Sequence, residues 1–128
     1  HEESIDELIN IGFFPAKLDD ILNYIPARIA GIYVVISAYL LSLEGKNSFK
    51  IMRRDARNCP SPNSGFTMAT TAGALNIQLI KKDTYILGDA NKSIDKEDIT
   101  KAVNLSKLTI ILFTLTILII LTLIYVII

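Results

Sequence analysis

LTIILFTLTILIILTLIYVII, residues 108–128, decides how the rest of the chain is read. The run holds no charge, no proline and no glycine, and its clearly polar side chains are four threonines. At about 1.5 Å per residue, a helix of this length covers the roughly 30 Å hydrocarbon layer of a bilayer. In water its many Ile and Thr residues would favour strand and invite aggregation. In lipid the backbone has to satisfy its own polar groups, so helix is the single-segment solution. The threonines are tolerable there because each hydroxyl bonds a carbonyl one turn earlier. The chain is therefore expected to be a membrane protein, and its polar residues are groups placed beside a bilayer.

Working outward, a second uncharged run, IAGIYVVISAYLLSL at 29–43, is short for a crossing. Extended back through Ala27 it gives an expected membrane helix over about 27–43, and a buried core helix would look much the same. A third run, FTMATTAGALNIQLI at 66–80, is rich in Thr, Asn and Gln. It suits a re-entrant or protein-packed helix, and Ala69 and Gly73, four apart, would let another helix come close. The expected architecture is all-α and multi-pass, one membrane-embedded domain over 1–128. It has an amphipathic lead-in helix, membrane helices at about 27–43 and 108–128, and a polar connector at 44–107 that contains the buried helix.

In the lead-in, Leu18, Ile21, Leu22 and Ile25 recur at helical spacing behind Pro15, which suits a first helical position. Pro26 breaks or restarts the helix. Residues 93–103 read as a short amphipathic helix leading to Lys107, with a turn around Gly88 and Asp89.

Formal net charge is zero, with 13 basic and 13 acidic residues, and 51% of the chain is hydrophobic. Eleven of the basic residues lie between Glu44 and Lys107, while six of the acids precede Arg28. Acids are interspersed throughout, so no nucleic-acid partner is indicated. The positive-inside rule puts the 44–107 connector in the cytoplasm. The single cysteine, Cys59, excludes an internal disulfide. With one histidine, at position 1, the chain also lacks zinc spacings and a Ser-His-Asp set.

Two polar tracts could carry chemistry. In the first, RRDARNCPSPNSG at 53–65, two prolines stiffen a turn that runs into the 66–80 helix. Ser61, Asn63 or Ser64 can cap that helix, and Gly65 lets backbone approach a ligand. A helix start with free amides, behind three arginines, suits phosphate or carboxylate. The same residues also suit plain capping with arginines at lipid headgroups. In the second tract, LDDILNYIPAR at 18–28, Asp19 and Asn23 are four apart and Asp20 and Asn23 three apart. One helical face then offers oxygen ligands to Mg²⁺, which keeps waters and adds nucleotide phosphates. A solvated acidic face, with Arg28 pairing a nearby acid, is the alternative.

Taken together, PAKLDDILNYIPARI and RRDARNCPSPNSGFTMATTAGALNIQLIKKDTYILGD resemble the CobD/CbiB family of cobalamin-biosynthesis membrane proteins, the adenosylcobinamide-phosphate synthases. The likeness runs from about Phe13 to Asp89 and then, more loosely, into the last helix. It implies a multi-pass enzyme of the cell membrane with ATP and Mg²⁺ as cofactors. Its substrates would be the corrinoid adenosylcobyric acid and aminopropanol or aminopropanol phosphate. Other cobalamin-pathway membrane proteins are implied as partners.

On this resemblance Asp19, Asp20 and Asn23 are the expected catalytic set, with Asp19 and Asp20 as Mg²⁺ ligands. Arg28, Arg54, Asp55, Ser61, Asn63 and Gly65 are expected to bind substrate or phosphate. Many members carry His where this chain has Cys59, so position 59 is left out of the site. The chain is also expected to be the C-terminal portion of a longer protein, inactive alone. A non-catalytic membrane scaffold or transporter subunit is the alternative function. Transport is disfavoured because both clear apolar runs lack ionisable residues.

Overall fold

The computed structural model describes residues 2–128, with side chains described from Ile5 onward. Five helices and one hairpin follow in order: α1 (Glu2–Leu22), α2 (Tyr24–Leu40), α3 (Gly45–Asp55), α4 (Ser64–Leu75), β1 (Gln78–Lys81), β2 (Tyr85–Gly88) and α5 (Lys96–Ile127). A 3₁₀ turn, Ala56–Asn58, joins α3 to the proline-rich loop before α4.

The lead-in departs from expectation at Pro15 and follows it at Pro26. Pro15 lies inside α1, not at its start. The chain bends by 46° between α1 and α2. The break falls at Asn23, because the ring of Pro26 removes an amide and collides with the carbonyl four residues earlier, that of Leu22. The second helix is also shifted from the expected 27–43. It begins at Tyr24 and stops at Leu40, where Ser42 takes a left-handed φ of 57° and turns the chain into α3.

The expected 66–80 helix is two elements. α4 ends at Leu75 because Asn76 adopts αL (φ 57°), and the Ile77 amide returns to the Ala72 carbonyl at 3.0 Å. Asn tolerates this conformation better than most residues, and it closes the helix. The chain then pairs with itself, Gln78 opposite Gly88 and Lys81 opposite Tyr85, around a turn at Asp83. The fold is therefore mostly helical with one antiparallel hairpin, not all-α. Gly88, where a turn was expected, instead ends β2 at φ 81°.

The expected 93–103 helix and the apolar run form one continuous α5. Its start carries a reciprocal cap, in which Asp95 accepts from the Asp98 amide and Asp98 accepts from the Asp95 amide, each at 3.0 Å. Lys92 binds the same Asp98 carboxylate at 2.5–2.6 Å and holds it below the usual carboxylate range. α5 is long and apolar enough to cross a membrane, and the bent α1–α2 pair passes the same test if it is one span.

The core forms where α2, α3 and α4 meet. Val35, Ile51, Met52, Ala56, Cys59, Ala69, Ala72 and Leu87 are buried together. Small residues set the spacing. A methyl group on Gly73 would stand 2.7 Å from the Asn47 carbonyl oxygen and 2.8 Å from the Ser48 Cα, so α3 reaches α4 backbone to backbone. Gly31 of α2 faces Met52 and Phe66, and Gly45 at the start of α3 faces Tyr39 near the end of α2. α3 therefore runs antiparallel to α2.

A second cluster, Val34, Ala38, Ala74 and Leu105, attaches α5. Two hydrogen bonds extend this seam, Thr109 to Ser37 at 3.0 Å and Tyr33 to Thr116 at 2.6 Å, with Phe113 edge-on to Tyr33. From residue 117 onward every side chain of α5 is exposed.

Candidate functional site

The break between α1 and α2 meets the start of α4. At the break, the Asn23 side-chain amide donates to the Asp19 carbonyl at 3.0 Å and to the Asp19 carboxylate at 2.9 Å. The i, i+4 spacing thus holds Asn23 against Asp19, with the Asn23 nitrogen, not its oxygen, turned toward the acid. Across the gap, Asn63 occupies the position before α4 but makes no side-chain cap bond. Its Nδ2 donates instead to the backbone carbonyl of Asp20 at 2.9 Å, and its Oδ1 accepts from Arg28 at 3.3 Å. Ser61 accepts the Asn63 amide through its hydroxyl at 3.2 Å. Simple capping does not account for Asn63. It joins two segments that stand more than 40 residues apart in sequence.

Arg28 is fixed from several sides. It donates to the Tyr24 carbonyl at 2.7 Å, and its guanidinium lies 3.3 Å from the Tyr24 ring centre and 4.3 Å from that of Phe66. Stacking of this kind suits the flat, weakly hydrated guanidinium. The alternative in which Arg28 pairs a nearby acid is not what forms among the described residues. Arg28 thereby holds Asn63 in the orientation that reaches Asp20.

These contacts wall a pocket of about 400 Å³ lined by Asp19, Asp20, Asn23, Ser61, Asn63 and Thr67. A second cavity of about 670 Å³ adjoins it through Asp20 and adds Lys17, Tyr24, Pro60 and Pro62. Lys17 and Thr67 are not among the expected site residues. Lys17 sits one turn ahead of Asp20 and Ile21, a helical spacing that could have placed it on the same wall. The polar pocket offers two carboxylates, the hydroxyls of Ser61, Ser64 and Thr67, and the start of a 12-residue helix whose dipole favours anions. Among the described residues no group of three or more His, Cys, Asp or Glu gathers into a metal cage. Two carboxylates fit a Mg²⁺ that keeps waters and takes its other oxygens from phosphate, and they do not fit a closed protein site.

Three expected site residues are placed differently. Gly65 is pressed against the 3₁₀ turn, where an added Cβ would collide with the Ala56 carbonyl, so its lack of a side chain serves packing there. Arg54 and Asp55 lie in a separate cluster. Arg54 binds Asp55 through two bonds of 2.8 Å and Asp89 at 2.9 Å, while the buried Asp55 accepts the Gly88 amide at 2.7 Å. The Arg54 guanidinium, helped by the Gly88 amide, holds the Asp55 carboxyl below its usual range against the opposing effect of burial. This network pins β2 to α3. Cys59 is buried in the first core cluster.

A family model described as CobD/Cbib protein matches residues 5–106. A probable cobalamin biosynthesis protein CobD of Methanothermobacter thermautotrophicus is 58% identical over 106 residues, covering 83% of this chain and 36% of that protein. The cobalamin biosynthesis protein CobD of Clostridium perfringens is 45% identical over 104 residues, covering 75% of this chain and 33% of its own length. A probable CobD of Methanocaldococcus jannaschii is 46% identical over 85 residues, with 66% and 28% covered. The chain thus spans about a third of the length of the curated relatives it matches. No solved structure matches it.

Proposed function

This chain belongs to the CobD/CbiB family, and from that premise we propose that it serves cobalamin biosynthesis as part of an ATP-dependent amide ligase. The reaction joins the amine of aminopropanol, or of its phosphate, to a propionate carboxyl of adenosylcobyric acid. ATP supplies the phosphoryl group that carries away the carboxyl oxygen as phosphate, and the amine nitrogen loses a proton as the C–N bond forms. Catalysis of this kind is mostly positioning and charge neutralisation.

The observation that carries the reading is the Arg28–Asn63–Asp20 linkage, which brings the two polar tracts to one pocket. Asp19 and Asp20 would hold Mg²⁺, which would neutralise phosphate charge when bound, or they orient the incoming amine. Asp20 is the carboxylate shared by both cavities, so it stands where two substrates would meet. The hydroxyls of Ser61, Ser64 and Thr67 and the α4 start bind phosphate. Arg28 and Asn63 keep these groups in register without touching the reacting atoms. The enzyme sits in the cell membrane, with α5 and the bent α1–α2 pair as crossings and the basic side of the connector in the cytoplasm.

The test is complementation of a cobalamin auxotroph lacking this step, using the full-length gene. Asp20→Asn is expected to abolish corrinoid amide product while the protein stays in the membrane fraction. Normal output from Asp20→Asn would remove the pocket from the reaction.

A further inference from the structure

We propose that the outer face of α3 is a binding wall for a soluble polyphosphate. Lys46, Lys50, Arg53 and Arg57 follow one another at intervals of four, three and four, with Phe49 beside Lys50, so they form a single exposed stripe running from α3 into the 3₁₀ turn. The opposite face, Ser48, Ile51, Met52 and Asp55, is buried. Lys46, Phe49, Lys50 and Arg53 of the stripe line a groove of about 720 Å³, and Glu44 is the one acid lining it. Arg54, also on the groove, is already neutralised by Asp55 and Asp89. Among the described residues no carboxylate lies within ion-pair distance of Lys46, Lys50, Arg53 or Arg57. Arg53 lies 5.8 Å from the Phe49 ring, which keeps its guanidinium over the groove.

Two features favour a soluble anion over lipid headgroups. First, the hairpin packs beside α3, and its two strands pair only with each other. Open strand edges are not tolerated in hydrocarbon, so this side of the bundle faces water. Second, α3 lies antiparallel alongside α2, with Gly45 at Tyr39 and Met52 at Gly31. The cations from Lys46 to Arg53 therefore advance roughly 10 Å in the direction of the apolar helices. Headgroup phosphates lie in a plane, whereas linked phosphates extended along one line meet successive cations. Asp20 and its pocket take no part in this site.

The test is titration of inorganic triphosphate into the full-length protein in phosphatidylcholine nanodiscs, read by calorimetry. Saturable binding is expected, weakened about tenfold by Lys50→Ala and again by Arg53→Ala, since each removes a charge-assisted hydrogen bond. Both residues are exposed, so the variants keep the fold, which circular dichroism checks. Absence of saturable binding, or binding indifferent to Lys50→Ala and Arg53→Ala, would make the stripe a solvated surface. Stabilisation by phosphatidylglycerol discs without triphosphate binding would give it to lipid. Either result overturns the proposal.

Discussion

Along α2 the exposed residues are Tyr24, Ile25, Pro26, Ile29, Ile32, Ile36, Tyr39 and Leu40, whereas its antiparallel neighbour α3 exposes Lys46, Phe49, Lys50, Arg53 and Arg54. The first side continues onto α5, whose last turns show only apolar side chains and Thr122 to the outside. The second continues onto a hairpin with open edges. Between them lies a core of small residues in which Gly73 and Ala69 let α3 and α4 nearly touch. The first side has the apolar character that hydrocarbon requires, and the second has the charge of a surface that faces water.

The largest effect should come from exchanging the two chemistries. Leu118→Arg places a charge at the middle of the apolar run, where insertion costs about 3 kcal/mol. Its carbonate-resistant membrane fraction should fall sharply. Lys50→Leu, on the water side, should leave that fraction unchanged. Equal behaviour of the two variants would erase the distinction between the sides.

Next in size is the core that separates them. Gly73→Ala puts a methyl group against the Asn47 carbonyl and Ser48 Cα, both backbone and unable to swing away. Overpacking of this kind costs about 2 kcal/mol, measurable as a lowered unfolding midpoint in detergent. Gly12→Ala, which meets nothing within 4 Å, is the control and should be neutral or slightly stabilising.

The water side has a pH signature. In the folded protein the Arg54 guanidinium holds the Asp55 carboxyl below its ordinary value. Asp55 therefore contributes stability that is fully present above about pH 4, the ordinary carboxylate range, and is lost as pH falls through the lower folded value. Asp55→Asn should destabilise at neutral pH by about 2 kcal/mol, because Arg54 and Gly88 lose a charged acceptor. It should also flatten the acid limb of a plot of Tm against pH. An unchanged acid limb would mean that β2 is not tied to α3 through this carboxylate.

How much of this was legible in the sequence differs between the sides. The apolar run at 108–128 and the Ala69–Gly73 spacing lead directly to α5 and to the close α3–α4 approach, because both depend on composition and helical period alone. The hairpin was not legible. Leu79 and Ile80 extend the apolar run of α4, and the residue that ends the helix, Asn76, acts through a backbone conformation that its neighbours do not announce. Its turn, Lys82-Asp83-Thr84, also lacks the Asn-Gly or Asp-Gly pair that marks a tight hairpin. In the site, Asp19, Asp20, Asn23, Ser61 and Asn63 were legible as two tracts of suitable chemistry, and the structure brings them to one pocket. The exchange of Asn63 from cap to cross-link was not, since it depends on a contact 43 residues away. Arg54 was misplaced for the opposite reason. Its nearest acid is its own neighbour, Asp55, and pairing within α3 draws it away from the pocket.

The smallest expected effect lies on the apolar side, and it distinguishes a packed seam from a polar one. Tyr33 reaches Thr116 at 2.6 Å and also packs its ring edge-on against Phe113 at 5.6 Å. Tyr33→Phe deletes the hydroxyl and keeps the ring. The Thr116 hydroxyl stays satisfied because it also donates to the Leu112 carbonyl at 2.8 Å. The loss should therefore be only about 0.6 kcal/mol, the average measured for hydrogen bonds between membrane helices. Tyr33→Ala removes the ring as well and should cost several times more, because aromatic contact area dominates such a seam. Unfolding of the two variants in mixed micelles would rank them. A Tyr33→Phe loss as large as that of Tyr33→Ala would show that the polar bond, not apolar packing, holds α5 against α2.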